Sequence, residues 1–168
     1  ARLEADGGVD HVPFFVRPKR GTSTAPIVFL APTATYVAYA NFHGFASAAS
    51  RERYAQLVGH ELEMEHPSTP EEAYMVENRL LSLYDRHSDG SGVTYSSRLR
   101  PMANMRPRYR MPLMGLGRGY PYFFAADLHL VDWLEAKGYE YDVVTDDDLH
   151  SEGADLLAPY TTVVTGSH

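Results

Sequence analysis

The sequence contains no cysteine. Disulfide frameworks, thiolate zinc sites, iron–sulfur clusters and thiol nucleophiles are therefore excluded. It has no apolar run long enough to cross a bilayer as a helix, so no membrane partner is expected. Its first residues, ARLEADGGVD, lack the apolar stretch of a signal peptide. Positive charge is short as well. The formal net charge is −7, so the broad basic surface that nucleic acid requires is missing. Absence of cysteine fits a reducing compartment, and the cytoplasm is the expected location. No internal repeat and no low-complexity segment is present. An initiator methionine is also absent, and the sequence stops at TGSH just after a β-branched run. This reads as a fragment of a longer polypeptide, with an α/β domain cut short at its C-terminus.

What is present suits one globular core: 168 residues, of which 44% are hydrophobic. His11–Val16 reads as a short edge strand broken by Pro13. A loop rich in Pro, Gly, Ser and Thr follows to Pro26. Residues 1–25 are thus expected to be an edge strand and linker from a preceding domain, and residues 26–168 an α/β region. "IVFLAP" reads as a central strand of a sheet covered on both faces, stopped by Pro32. Helices are expected over Ser50–Leu62 and Thr69–Leu83. Thr69 and Glu72 have capping-box spacing there, and Pro70 falls at the first helical position. Arg98–Tyr122 carries Pro101, Pro107, Pro112 and Pro121 and reads as a long irregular segment, of the kind that forms lids. Asp127 is expected to cap a helix that runs to Lys137 and ends at Gly138. "YEYDVV" is a strand, "TDDDLH" opens a short helix with aspartates at its positive end, and "TTVVT" is a buried strand. Strand–helix alternation of this kind implies a parallel sheet flanked by helices in three layers.

Tyrosine is abundant, with 12 residues. Most tyrosines pack half-buried with a wet hydroxyl. A phenol can also bind a hard, highly charged cation that displaces its proton, and ferric iron is the usual candidate. Tyr36 and Tyr39 follow the first central strand, and Tyr84 and Tyr95 flank the polar stretch "DRHSDGSG". That stretch makes a good turn through its Asp and Gly residues. It lacks the ligand spacing of a calcium loop. Arg98, Arg100, Arg106, Arg108, Arg110 and Arg118 could bind an anion, though a solvated loop is the commoner use of such a run. Among them lie Tyr109, Tyr120 and Tyr122, followed by Phe123 and Phe124, which could wall a small apolar pocket. His129 reads as structural. His168 follows a strand end, where a parallel sheet presents functional groups.

"APTATYVAYAN", "LYDRHSDGSGVTYSSRLRP", "NMRP", the stretch "ADLHLVDWLEAKGYEYDVVTDDDLHSEGADLLAPY" and "VVTGSH" together resemble the C-terminal catalytic region of the N,N-dimethylformamidase large subunit. The resemblance runs from about Val12 to His168. It implies an α/β fold similar to class I glutamine amidotransferases and hydrolysis of N,N-dimethylformamide to dimethylamine and formate. It implies a mononuclear non-haem Fe(III) held by two tyrosines and one glutamate. Carried over, the tyrosines are Tyr39 and Tyr84, with Tyr36 and Tyr95 in reserve. The glutamate would lie two residues beyond His168, since in the family TGSH continues into Pro-Glu. His168 matches the family's active-site histidine, and His87 would relay protons or support the metal site. Asp85 and Arg86 would pin the turn. Phe123 and Phe124 would contact the small amide substrate. A small (alpha) subunit and further copies of the large subunit are the implied partners. Two departures bear on substrate preference: Thr94 stands where relatives are expected to have cysteine, and "YPYFFAADLH" differs from the usual approach to its helix. Two other readings remain open: a non-catalytic amidotransferase-like assembly domain, and an anion- or sugar-binding domain using the arginine loop.

Overall fold

The computed structural model describes residues 1–42, 51–52, 55–57, 59–61, 69–111 and 119–167. Among these the elements run β1 (Arg2–Ala5), β2 (Gly8–His11), β3 (Ile27–Ala31), α1 (Thr33–Tyr39), α2 (Pro70–Glu77), β4 (Arg110–Met111), β5 (Tyr120–Pro121), α3 (Phe124–Lys137), β6 (Tyr141–Thr145), α4 (Asp146–Glu152), a 3-10 turn (Ala154–Leu156) and β7 (Thr162–Thr165). The chain forms two compact units: Ala1–Tyr36 with Phe123–His168, and Val37–Tyr122.

The first unit is α/β. Its parallel sheet has the order β6-β3-β7, with Ile27 opposite Tyr141 on one side and Thr162 on the other. The central place of β3 agrees with its apolar run. Val28, Phe29 and Ala31 are all buried there, and Val144 joins them from β6. β7 departs from expectation. Its residues are mostly exposed, including Val163. A β-branched run reads alike on a buried and an edge strand, and among the described residues β7 stands at an edge of the sheet. The strand expected at His11–Val16 also changes. β2 stops at His11 and pairs antiparallel with β1 as a hairpin. Pro13 has no N–H to continue a ladder.

α3 ends as its sequence indicates. Gly138 adopts φ 71°, and the Tyr139 N–H donates to the Leu134 carbonyl. Leu134, 1% exposed, anchors the helix to the core, and its burial is worth about 2 kcal/mol. The start is a correction: the helix begins at Phe124, and Asp127 lies inside its first turn rather than capping it. α4 carries a full capping box between Thr145 and Asp148. Arg17 reaches across from the N-terminal loop to Asp148 at 2.6 Å and Glu152 at 2.7 Å. Buried Asp142 takes the Thr24 amide at 2.8 Å and the Tyr160 hydroxyl at 3.0 Å, and also bonds the Thr24 hydroxyl. Together these contacts tie the loop before β3 to the sheet.

Among its described residues the second unit has little regular structure. Residues 51–52 and 55–57 are helical, with a turn at Gly59; residues 50, 53, 54, 58 and 62 of the expected Ser50–Leu62 helix fall outside the described ones. α2 opens as expected, with the Thr69 hydroxyl accepting the Glu72 amide at 3.2 Å. It stops at Glu77, short of Leu83, because Asn78 caps it and Arg79 turns to φ 52°. The segment from Arg98 is irregular, but residues 100–111 are no loose lid. Ala103, Met105, Tyr109 and Met111 are buried, alongside Ala40, Met75 and Tyr122. Asn41, fully buried at φ 64°, is the fastener. Its backbone N–H donates to the Asn104 Oδ1 at 2.8 Å, its Nδ2 to the Pro101 carbonyl at 2.7 Å, and its Oδ1 accepts the Ala103 amide at 2.8 Å. Asparagine tolerates the left-handed backbone that this demands.

Candidate phenolate site

β3 passes through Pro32 directly into α1, so the strand's carboxyl end delivers a helix bearing Tyr36 and Tyr39. The last turn of that helix is held by Arg100, whose guanidinium donates to the Val37 carbonyl at 2.5 Å and the Ala40 carbonyl at 3.3 Å. A cation on free carbonyls at a helix C-terminus is favourable on charge and hydrogen-bonding grounds. The Asn104 amide adds a bond to the Tyr39 carbonyl at 3.2 Å.

Tyr84 belongs to the same unit as Tyr39. The Leu83 amide donates to the Ala38 carbonyl at 3.0 Å. The Tyr84 amide donates to the Ser82 hydroxyl at 3.0 Å, and buried Asp85 takes the Ser82 amide at 2.8 Å. Beyond Asp85 the chain makes the expected turn. His87 and Ser91 pair through backbone, Arg86 bridges to Gly92, and the Arg86 guanidinium donates to the Gly90 carbonyl at 2.8 Å. Asp85 thus fixes the approach to the turn, and Arg86 closes it. Asp89 is held below the usual carboxylate range, first by the Ser91 hydroxyl and then by the Ser91 amide.

The outcome is a stack of two phenols. The rings of Tyr39 and Tyr84 lie 4.1 Å apart between centroids and 18° from parallel. Phe42 and Tyr122 set their edges against Tyr39, at 6.0 Å and 6.1 Å. Tyr109 and Tyr120 extend the cluster from Tyr122. Burial, and then the neighbouring Tyr84 hydroxyl, push the Tyr39 pKa up to about 12. Tyr109 and Tyr122 are raised further, mainly by burial. Glu72 and Glu71 add to the rise at Tyr109, and neighbouring phenols add to it at Tyr122. The Tyr109 hydroxyl is buried without a hydrogen-bond partner. Tyr84 itself is 57% exposed, so the stack has one face buried in tyrosines and one open.

The other sequence candidates differ widely in their surroundings. Tyr36 is buried, with its hydroxyl on Asp127 at 2.5 Å and its ring between Phe15 and Phe124. Tyr95 is 92% exposed. His87 is exposed in its turn, and His129 is exposed on α3. Phe124 packs edge-on to Tyr36 at 5.7 Å. Phe123 precedes α3 at φ 41°, a strained backbone worth about 1–3 kcal/mol for a non-glycine residue. His168 and Arg118 lie outside the described residues. Of the arginines, Arg100 and Arg110 are engaged with backbone carbonyls. Among the described residues no group of three or more His, Asp and Glu could hold a metal ion, and no helix is long and apolar enough to cross a membrane.

Sequence reasoning singled out Tyr39 and Tyr84 but missed what places them. Asn41, Asn104 and Arg100 act through backbone groups distant in the chain, and no local pattern announces such bonds. The density of tyrosine was the one usable signal.

The first unit is α/β, and the second brings two phenols face to face. The comparison with known proteins is more specific. Residues 1–168 match the family described as N,N-dimethylformamidase beta subunit-like, C-terminal, and the chain belongs to that family. It is 44% identical over 163 residues to the N,N-dimethylformamidase beta subunit of Alcaligenes sp, and 42% identical over 159 residues to that of Paracoccus aminophilus. Each match covers 95% of this chain and 20% of the relative, so the chain spans about a fifth of their length.

Proposed function

We propose that this chain provides part of the catalytic region of an amidohydrolase that cleaves N,N-dimethylformamide to dimethylamine and formate. Family membership supports the substrate class. The Tyr39–Tyr84 stack is the observation that carries the chemistry. Two phenols from separate segments come face to face, one of them with a raised pKa. Neutral phenols are poor donors, and only a strongly acidic cation displaces both protons near neutral pH. The pair fits a mononuclear non-haem Fe(III), with Tyr39 and Tyr84 as ligands and a glutamate from beyond His168 as the third. When bound, such an ion supplies Lewis acidity for the amide carbonyl and for water.

The protein's own residues do the rest of the work. Arg100 and Asn104 fix the helix end that carries Tyr39, and Asp85 and Ser82 fix the backbone of Tyr84. The surrounding tyrosines lower the local polarity beside the pair. Proton delivery to the departing amine is assigned to His168, since imidazole titrates near neutrality, with His87 as a second candidate. A tertiary formamide offers no N–H, so its recognition falls to apolar contact, for which Phe123 and Phe124 are the candidates. The amidotransferase-like three-layer fold, an edge strand and linker from a preceding domain at residues 1–25, a partner alpha subunit, further copies of the large subunit and a cytoplasmic location belong to the same proposal.

The test uses the intact enzyme. Phenolate bound to ferric iron gives a visible charge-transfer band. Tyr39→Phe and Tyr84→Phe should each weaken or abolish the band, together with release of dimethylamine. A colourless, iron-free protein that hydrolyses the amide at full rate sinks the proposal. Loss of the band in Tyr95→Phe but not in Tyr84→Phe passes the ligand role to the reserve residue.

A further inference from the structure

Two phenols held face to face can react with one another. The Tyr39 and Tyr84 rings lie 4.1 Å apart and 18° from parallel. Their hydroxyls are neighbours as well, that of Tyr84 acting on that of Tyr39 as a hydrogen-bond partner. The rings are thus stacked with their oxygens at the same end, which brings carbons ortho to the two oxygens close together. The other phenol contacts in the cluster are edge-on. Tyr122 meets Tyr39 at 86°, Tyr109 at 66° and Tyr120 at 68°. Among the described residues Tyr39 and Tyr84 are therefore the stacked pair of tyrosines. Both main chains are anchored, the Leu83 amide on the Ala38 carbonyl at 3.0 Å and the Asn104 amide on the Tyr39 carbonyl at 3.2 Å. Tyr84 is 57% exposed, so an oxidant in solution reaches one ring directly and the other through ring contact.

We propose that Tyr39 and Tyr84 form an oxidative cross-linking site, at which a dityrosine bond joins the end of α1 to the Leu83–Asp85 stretch when no metal ion holds the pair. The co-reactant is hydrogen peroxide, acting through a haem peroxidase. Tyr84 first loses one electron and its hydroxyl proton and becomes a phenoxyl radical. That radical takes the hydroxyl hydrogen atom of Tyr39, and a second oxidation of Tyr84 leaves two radicals in contact. The unpaired spin of a phenoxyl is shared with its ortho carbons, and a carbon–carbon bond forms between two of them. Each joined carbon then gives up its hydrogen as a proton, and each oxygen regains one, so both phenols are restored. In sum two C–H bonds break and one C–C bond forms, while two electrons and two protons reduce one peroxide to two waters. Groups already positioned against each other react as though at very high local concentration, so coupling within the pair outruns coupling between molecules. The site stands on ring geometry; that iron would guard it rests on the ligand reading above.

The experiment treats the intact enzyme, stripped of metal by a chelator, with hydrogen peroxide and a haem peroxidase. It reads dityrosine fluorescence and the masses of digested peptides. Peptides carrying Tyr39 and Tyr84 should appear joined, with the loss of two hydrogen atoms, at a rate independent of enzyme concentration. Tyr39→Phe and Tyr84→Phe should each abolish the joined pair. Tyr84→Phe removes only the hydroxyl of a half-exposed ring, so its loss of the link cannot be put down to misfolding. Tyr95→Phe, at a ring that is 92% exposed, should leave the link intact and lower only the coupling between molecules. If Tyr39 and Tyr84 stay unjoined under conditions that convert added free tyrosine to dityrosine, the proposal falls. A link whose rate rises with enzyme concentration overturns it too, as does one that joins Tyr39 to Tyr122 instead. Prior loading with ferric iron should suppress the link. Should it form equally fast in loaded enzyme whose visible band is intact, the modification stands and the ligand assignment fails.

Discussion

The two units reach a packed interior by different means. In the sheet unit the buried positions are Val28, Phe29, Leu134 and Val144, on strands and a helix whose backbone bonds are internal to each element or its neighbour. In Val37–Tyr122 the interior is Met75, Met105, Tyr109, Met111 and Tyr122. These are adaptable or amphipathic side chains, held around loops whose backbone groups are satisfied by Asn41, Asn104 and Arg100. The first unit depends on apolar area. The second depends on a few side chain-to-backbone bonds, and it is the second that brings Tyr39 and Tyr84 together.

The sharpest way to test that contrast is to remove one anchor from each. Leu134→Ala should cost the sheet unit about 3 kcal/mol through lost burial and the cavity left behind. The loss should be read as reduced amide protection across β3 and β6. Asn41→Ala should cost the second unit about 2 kcal/mol, since it strands buried backbone groups and puts alanine at a left-handed φ. Its signature is faster exchange at Ala103 and loss of the tyrosine stack's near-ultraviolet circular dichroism. If Asn41→Ala leaves that signal intact, the fastener role is wrong.

A smaller effect acts on the sheet unit through pH. Burial would raise the Asp142 pKa, but the Thr24 hydroxyl and amide and the Tyr160 hydroxyl outweigh it and hold the group below its ordinary 3.8. A depressed carboxylate stabilises the fold above its unfolded pKa, and that contribution is lost as pH falls through the folded value. Asp148 is depressed in the same way, through Thr145 and Arg17 against the opposing effect of burial. The sheet unit should therefore lose protection below about pH 4, with a shallower acid dependence in Asp142→Asn. Gly138→Ala should cost about 1 kcal/mol, because alanine resists the left-handed C-cap. Least of all, Tyr95→Ala should shift stability by under about 0.5 kcal/mol, as exposed side chains usually do. A large loss there would show Tyr95 engaged in something unseen.

The same contrast explains what could be read from the sequence. β3, β6, α4 and the C-terminus of α3 were legible because β-branched runs, Thr145 with Asp148, and Gly138 act within a few residues of themselves. The parallel order followed from strand–helix alternation. In the second unit the start of α2 was legible, from Thr69, Pro70 and Glu72. Arg98–Tyr122 looked like a lid because its prolines and glycines hide the bonds from Asn41. Asp127 has the residue type and location of a helix cap, and only the approach of Gly166 shows its real partner. Tyr39 and Tyr84 were named from resemblance, and their stacking could not have been derived from spacing.

Tyr84 combines an exposed ring with a main chain fastened on either side, at Leu83 to Ala38 and at Asp85 to Ser82. Little conformational freedom is left there for an incoming ligand to freeze. A ligand meeting this side chain would find its main chain already ordered, so the entropic penalty of binding would be small.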